Sequence, residues 1–265
     1  MSLEYCCPLC SNPLIHTSTS LRCEKNHTFD FAKEGYVNLL PVQQKNSKQP
    51  GDSLEMVQAR RLFLEQGHYR FLQESLAELI SQLKANMIID LGCGEGFYTQ
   101  EIAKNSQATV YGVDISKSAI KYAAKRYKQC HFSVASISNA PFKNNCADVL
   151  LSVFAPLFDA ELLRLAKPQA RLIVASPGPD HLKELKSYIY ETVNEHSAID
   201  APEGFFKSDQ KLVTKAIALD FVDIKNLVMM TPFAWKFRPE HWNQLQSIGT
   251  HTITLSFYIS QFVKH

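Results

Sequence analysis

Between Arg70 and Lys84 the apolar residues Phe71, Leu72, Leu76, Leu79, Ile80 and Leu83 recur at three- and four-residue steps. That period predicts a helix with one apolar face, which needs a sheet to cover it. The sheet follows at once. MIIDL, residues 87–91, is an uninterrupted apolar run of strand length, and the glycine-rich GCGEG after it leads into the helical pattern FYTQEIAKN. TVYGVD, residues 109–114, is a second such strand, with another helix starting near Ser116. Strand, tight turn and helix in succession predict a doubly wound, mostly parallel α/β sheet. Upstream, Asp52 with Glu55 reads as a capping box for a helix through LEMVQARRLFLEQ, closed by Gly67. Residues 28–52 carry few helical signals and read as a strand and an extended linker ending at Pro50 and Gly51.

Composition narrows the class without choosing a function. At 265 residues, 45% hydrophobic and 20% charged, the chain has an ordinary globular make-up, with room for one large core and a small appendage. No basic segment precedes an apolar run at the N-terminus, and no stretch approaches the roughly 20 apolar residues of a membrane span. A cytoplasmic protein with no membrane partner is expected. A formal net charge of +2 neither requires nor forbids a nucleic-acid partner.

The seven cysteines change the picture more. In a reducing compartment they are metal ligands or packing groups rather than disulfides. Cys7 and Cys10 stand at C-x2-C spacing, and twelve residues later RCEKNH supplies Cys23 and His27. Three thiolates and an imidazole suit a closed tetrahedral zinc site, structural because no ligand position stays open. Reduced thiols that merely pack are the competing reading. A redox pair is weaker, because no strand precedes Cys7. Cys6 and His16 are spare, and Cys6 could replace Cys7 only by changing the loop to C-x3-C.

The turn after MIIDL carries the second chemistry. Gly92, Gly94 and Gly96 let the backbone turn tightly beside a ligand, and Asp114 ends the second strand 24 residues after Asp90. An acid there can accept both hydroxyls of a ribose, or cap the helix near Ser116, and the two roles can coexist. Dinucleotide folds use G-x-G-x-x-G, whereas DLGCGEG has an acid before the first glycine, which repels phosphate and suits an amino group and a sulfonium. DLGCGEG followed by VYGVDIS resembles the class I S-adenosylmethionine-dependent methyltransferases. ASISNAPF, residues 135–142, and ADVLLSVFAP, residues 147–156, are similar to that family's adenine-side and fourth-strand segments. The resemblance implies a seven-stranded Rossmann-like sheet. It also implies that Asp90 lies near the methionine amino group above Gly92, Gly94, Gly96 and Phe97, that Asp114 takes the ribose and that Ser136 lies near adenine. Cys93 reads as a small residue filling the turn, not a nucleophile.

A narrower resemblance covers nearly the whole chain. The cysteine knuckle, AKEGYVNLLPVQ, PGDSLEMVQARRLFLEQGHY, DLGCGEG, ASPGPDHLKELK and MTPFAW together resemble the RlmA family of large-subunit rRNA guanine-N1 methyltransferases. This resemblance implies that Tyr69 and His181 also touch S-adenosylmethionine. An aromatic face can hold a sulfonium and an imidazole can bond a carboxylate. It further implies 23S rRNA as partner, methylation of a hairpin-loop guanine, and allows a homodimer. Three regions are expected: a zinc-binding RNA-recognition subdomain, 1–36; a linker and helices, 37–84; and the methyltransferase domain, 85–265. Tyr36, Phe154, Phe233 and Trp235 are candidates to stack on the flipped base, or core residues. Lys33, Lys45, Lys48, Arg60 and Arg61 could follow phosphates. No residue is identified as the catalytic base; Asp159 and Glu161 stand nearby in sequence without a distinguishing signal. A small-molecule methyltransferase and a non-catalytic RNA-binding module are the alternatives.

Overall fold

The computed structural model describes residues 4–42 and 53–265. Three short strands, β1 (Ile15–His16), β2 (Ser20–Arg22) and β3 (Thr28–Asp30), form an antiparallel sheet at the N-terminus. A fourth, β4 (Val37–Asn38), leaves it for the main sheet. Helices α1 (Leu54–Glu65) and α2 (Arg70–Ser81) follow. The cap of α1 is Ser53, whose hydroxyl accepts from the Met56 N–H at 3.2 Å, while Asp52 lies outside the described residues. Gly67 closes the helix at φ +82°. The second helix ends at Ser81, short of Lys84.

The core alternates as forecast: β5 (Met87–Leu91), α3 (Phe97–Lys104), β6 (Thr109–Asp114), α4 (Lys117–Arg126), β7 (His131–Val134), β8 (Ala147–Val153), α5 (Asp159–Leu165) and β9 (Ala166–Pro177). After the short α6 (Lys183–Lys186) come β10 (Phe205–Leu219), α7 (Phe221–Met229), α8 (Pro239–Ile248) and β11 (His251–Lys264). The sheet runs β10-β11-β9-β8-β5-β6-β7-β4. The strands from β9 to β4 are parallel; β11 enters antiparallel to β9 and β10 antiparallel to β11. This is the expected seven-stranded mixed sheet, lengthened to eight strands by Val37–Asn38 at the edge.

Both faces of the central strands are buried, and period-two alternation distributes the side chains between them. Ile88 points into a cluster with Leu72, Leu76, Ile80, Ile102 and Val149, beneath α2 and α3. Met87, Ile89 and Leu91 point to the opposite face, where they share a cluster with Leu162 and Leu165 of α5. Tyr5, Cys7, Leu14, Leu21 and Cys23 belong to that same cluster, so the N-terminal knuckle covers sheet surface.

Candidate active site and metal centre

The knuckle is built from two turns. Cys10 N and Ser11 N both donate to Cys7 O, and Asn26 N donates to Cys23 O with Asn26 at φ +65°. These turns aim Cys7, Cys10, Cys23 and His27 at one point, with their ligand atoms all within 4.8 Å of one another. Cys10 Sγ lies 3.7 Å from Cys23 Sγ, and His27 Nδ1 lies 3.3 Å from Cys7 Sγ and 3.5 Å from Cys23 Sγ. Ligands about 2.3 Å from a tetrahedral zinc are about 3.7 Å apart, so the separations fit that ion. All seven cysteines are free of disulfides. Cys6 is buried outside the cluster, its N–H donating to Pro141 O at 2.7 Å, and His16 packs on Phe31.

At the carboxyl ends of β5, β6, β8 and β9 opens a cavity of about 1220 Å³. Tyr69, Gly92, Gly94, Phe97, Asp114, Ser136 and His181 all line it, although they come from separate parts of the chain. Asp90 and Gly96 are not among the lining residues. Gly96 is the N-cap of α3 at φ +77°, packed against Phe132, Ala123 and Tyr127. Asp90 is buried behind the turn: Thr99 Oγ1 donates to its Oδ2 at 2.6 Å, and its Oδ1 has no partner. Burial raises its pKa to about 7, with the Thr99 bond opposing and the Asp114 charge adding.

Gly92 admits no other residue. Its φ is +82°, and a Cβ there would stand 2.5 Å from Ala155 Cβ. Asp114 organises the same turn. Its Oδ2 accepts from Gly94 N at 2.9 Å and its Oδ1 from Ser116 N at 2.7 Å, while Ser116 itself caps α4. The carboxylate thus ties the glycine turn to the start of α4, with Ser116 rather than Asp114 as the helix cap. His181 packs on Phe257, ring centroids 4.7 Å apart and tilted by 48°, and its Nδ1 accepts from Ser256 N at 3.3 Å. Burial, then the nearby Lys186 and His196, bring its pKa down to about 3, so the ring is neutral with its proton on Nε2. Tyr69 is buried edge-on against Phe63 and Phe257. Ser136 bonds Ser138 Oγ at 2.8 Å.

Several sequence expectations change. Of the two readings of Tyr36 the core one holds: it packs with Ile120 and Phe132 and is absent from the cavity lining. Phe154, Phe233 and Trp235 do line it, Phe154 at φ +57° and Trp235 79% exposed. Arg60 faces the cavity opposite Glu95, 3.8 Å away, instead of an outer surface. Arg61 lies over the Tyr122 ring at 5.1 Å. Lys45 and Lys48 fall outside the described residues, and Lys33 is exposed. Glu161 is buried, accepting from Ala140 N and pairing with Arg164 at 2.6 Å. Asp159 accepts from Glu203 N at 3.1 Å. Neither acid lines the cavity. The lining residues Met56, Arg60, Lys186 and His196 carried no sequence signal for this site, because only the seating of α1 and of the segment after α6 turns them inward.

The orphaned Asp90 Oδ1, the cradle under Gly92 and the polar groups of Asp114 and His181 fit a cofactor with a cationic end, a ribose and a carboxylate. The strand order and this cavity at the strand ends define a class I S-adenosylmethionine-dependent methyltransferase, here with a zinc ribbon. The zinc-ribbon family described as RlmA, N-terminal matches residues 5–48, and a methyltransferase-domain family matches residues 82–221. The chain is 31% identical to the 23S rRNA (guanine(748)-N(1))-methyltransferase of Streptomyces fradiae, across 94% of this chain and 93% of that protein. It is 33% identical to YxjB of Bacillus subtilis (strain 168), again across 94% and 93%. The chain belongs to the RlmA family of rRNA guanine-N1 methyltransferases.

Proposed function

We propose that the protein transfers the methyl group of S-adenosylmethionine to N1 of a guanine in a hairpin loop of 23S rRNA. What carries this reading is the likeness to the Streptomyces fradiae enzyme over ribbon, linker and catalytic core alike, since a shared core alone serves many substrates. The cavity supports it. Phe154, Phe158, Tyr190 and Trp235 form an exposed aromatic rim around a volume of about 1220 Å³, suited to a base drawn out of its stack.

In this reading Asp114 receives the ribose, Ser136 lies by adenine and Tyr69 faces the sulfonium. His181 Nε2–H donates to the methionine carboxylate, and the amino group lies toward Asp90 over Gly92, Gly94, Gly96 and Phe97. The bound cofactor supplies an electrophilic methyl group, and the protein contributes alignment and exclusion of water. Cys7, Cys10, Cys23 and His27 hold zinc. Residues 1–36 act as the RNA-recognition subdomain, 37–84 as linker and helices, and 85–265 as the methyltransferase domain. No described residue of the ribbon lines the cavity, so the exposed Lys25 and Lys33 are available to contact RNA backbone at a distance from the target base. A protein that modifies ribosomal RNA in this way would act in the cytoplasm. No helix among the described residues is long and apolar enough to cross a membrane. A homodimer is compatible with this scheme.

Deleting the gene and mapping large-subunit rRNA by mass spectrometry and reverse-transcription stops tests the reading. One guanine should lose its methyl group and its stop, because N1 methylation blocks the pairing edge. An unchanged rRNA profile, with activity of the purified enzyme on small molecules, would transfer the assignment to a metabolite.

A further inference from the structure

The cavity must supply a group that removes the guanine N1 proton, and its lining narrows the choice. Among the described residues, two carboxylates line it. Glu95 faces Arg60, and Asp114 holds the Gly94 and Ser116 N–H groups at the far side of the glycine turn. His181 already accepts at Nδ1, so its other nitrogen carries a proton and donates. Lys236 Nζ is engaged over the rings of Tyr190, 4.1 Å away, and Trp235, 5.4 Å away, at the mouth of the cavity.

Lys186 differs from these. It ends α6, is only 8% exposed, lines the cavity and has no carboxylate within ion-pair reach among the described residues. Its Nζ lies 2.6 Å from His196 Nε2, which lines the same wall. Two basic groups in such contact cannot both be charged, and burial acts on them in the same direction: it lowers the Lys186 pKa, and it lowers that of His196 with the neighbouring ammonium adding to the effect. An amine N–H given to His196 Nε2 leaves the lysine lone pair directed by the imidazole.

We propose that Lys186 is the catalytic base of the reaction and that His196 positions it. The proposal rests on the guanine reading above. The Nζ lone pair takes the N1 proton, and the N1–H electron pair stays on N1. That pair forms the new bond to the methyl carbon as the sulfur–carbon bond breaks and its electrons return to sulfur. The products are 1-methylguanine, S-adenosylhomocysteine and a Lys186 ammonium that gives its proton to solvent. Buried lysines serve as general bases in this way, and general bases contribute about 10²–10⁴-fold. The charged and titratable groups that line the cavity with the amine are His196, His181, Tyr190, Lys236, Arg60 and Glu95, together with Asp114, Cys93, Tyr69 and Tyr98.

The test uses the full-length zinc-loaded protein, S-adenosylmethionine and a 23S rRNA fragment containing the hairpin. Lys186→Met should slow single-turnover transfer by at least about 100-fold at neutral pH. Calorimetric affinities for cofactor and RNA should stay within about threefold of wild type (below roughly 0.7 kcal/mol). The deficit should shrink as pH rises and guanine ionises unaided. His196→Ala should move the pH at which the rate levels off, and His196→Gln, which keeps an acceptor, should restore most of it. In cofactor-free protein with carbon-13 labelled lysine, one Nζ-linked signal should titrate below the bulk lysines, vanish in Lys186→Met and shift in His196→Ala. Near-wild-type rates in Lys186→Met would overturn the proposal, as would a rate loss matched by equal loss of cofactor or RNA affinity. If wild-type protein binds the cofactor but methylates no guanine N1, the substrate reading itself falls and takes this proposal with it.

Discussion

Tyr5 of the zinc ribbon meets Tyr111 of the central sheet edge to face, ring centroids 5.3 Å apart at 83°, and Phe142 stacks on its other side at 5.1 Å. Glu4 N donates to the Tyr111 hydroxyl at 3.2 Å. The ribbon and the catalytic sheet therefore share one hydrophobic core, in which Leu14 and Leu21 lie with Leu91 and Val113.

Removing zinc, by chelator or by Cys7→Ser, should consequently lower the melting temperature of the whole protein in a single transition. A metal site adds its binding energy to the folding of whatever it organises. Tyr5→Ala should cost about 3 kcal/mol while leaving one equivalent of zinc bound. Calorimetry with metal analysis checks both. An early, separate ribbon transition with the main melt unmoved would show the two units to be independent.

Asp114→Ala should weaken S-adenosylmethionine binding by about 2–4 kcal/mol, because bonds to a charged acceptor are lost together. The same carboxylate fixes Gly94 N and Ser116 N, so Asp114→Asn should lose less than alanine does. Titration calorimetry gives both values. Equal affinity in wild type and Asp114→Ala would confine the residue to tying the glycine turn to the start of α4.

Gly92→Ala should abolish cofactor binding and destabilise the fold by about 1–3 kcal/mol, since it meets Ala155 Cβ and needs a left-handed residue. Pairing it with Ala155→Gly removes the collision and leaves the backbone strain. The double variant should regain part of the stability, measured by urea unfolding.

Asp90 gives the cofactor-free protein a pH dependence. Its pKa rises from 3.8 to about 7 on folding, so the folded state holds the proton more tightly. The resulting stabilisation, about 4 kcal/mol at most, is full below about pH 4 and lost as pH rises through 7. Asp90→Asn removes the titration, so the difference in unfolding free energy between variant and wild type should shift in the variant's favour between pH 5 and 8. A difference independent of pH would mean that Asp90 stays ionised in the fold.

The chain's own order determined the parts whose chemistry is local. The two cysteine turns, the strand into GCGEG and the acid ending β6 are each set by a few adjacent residues, so their spacing marked the Cys7, Cys10, Cys23 and His27 cluster and the glycine turn. Helix existence was legible from periodicity for the same reason. What lay beyond the sequence was convergence. Arg60 reads as a phosphate-following cation on α1 until the packing of that helix turns it toward Glu95, and Tyr36 reads as a base-stacking or a core aromatic until β4 joins the sheet edge and buries it. Lys186 and His196 stand ten residues apart with nothing between them to mark a pair. Only tertiary structure brings their nitrogens together, because side-chain contacts across irregular segments are chosen by the packing of the whole core and leave no period in the sequence.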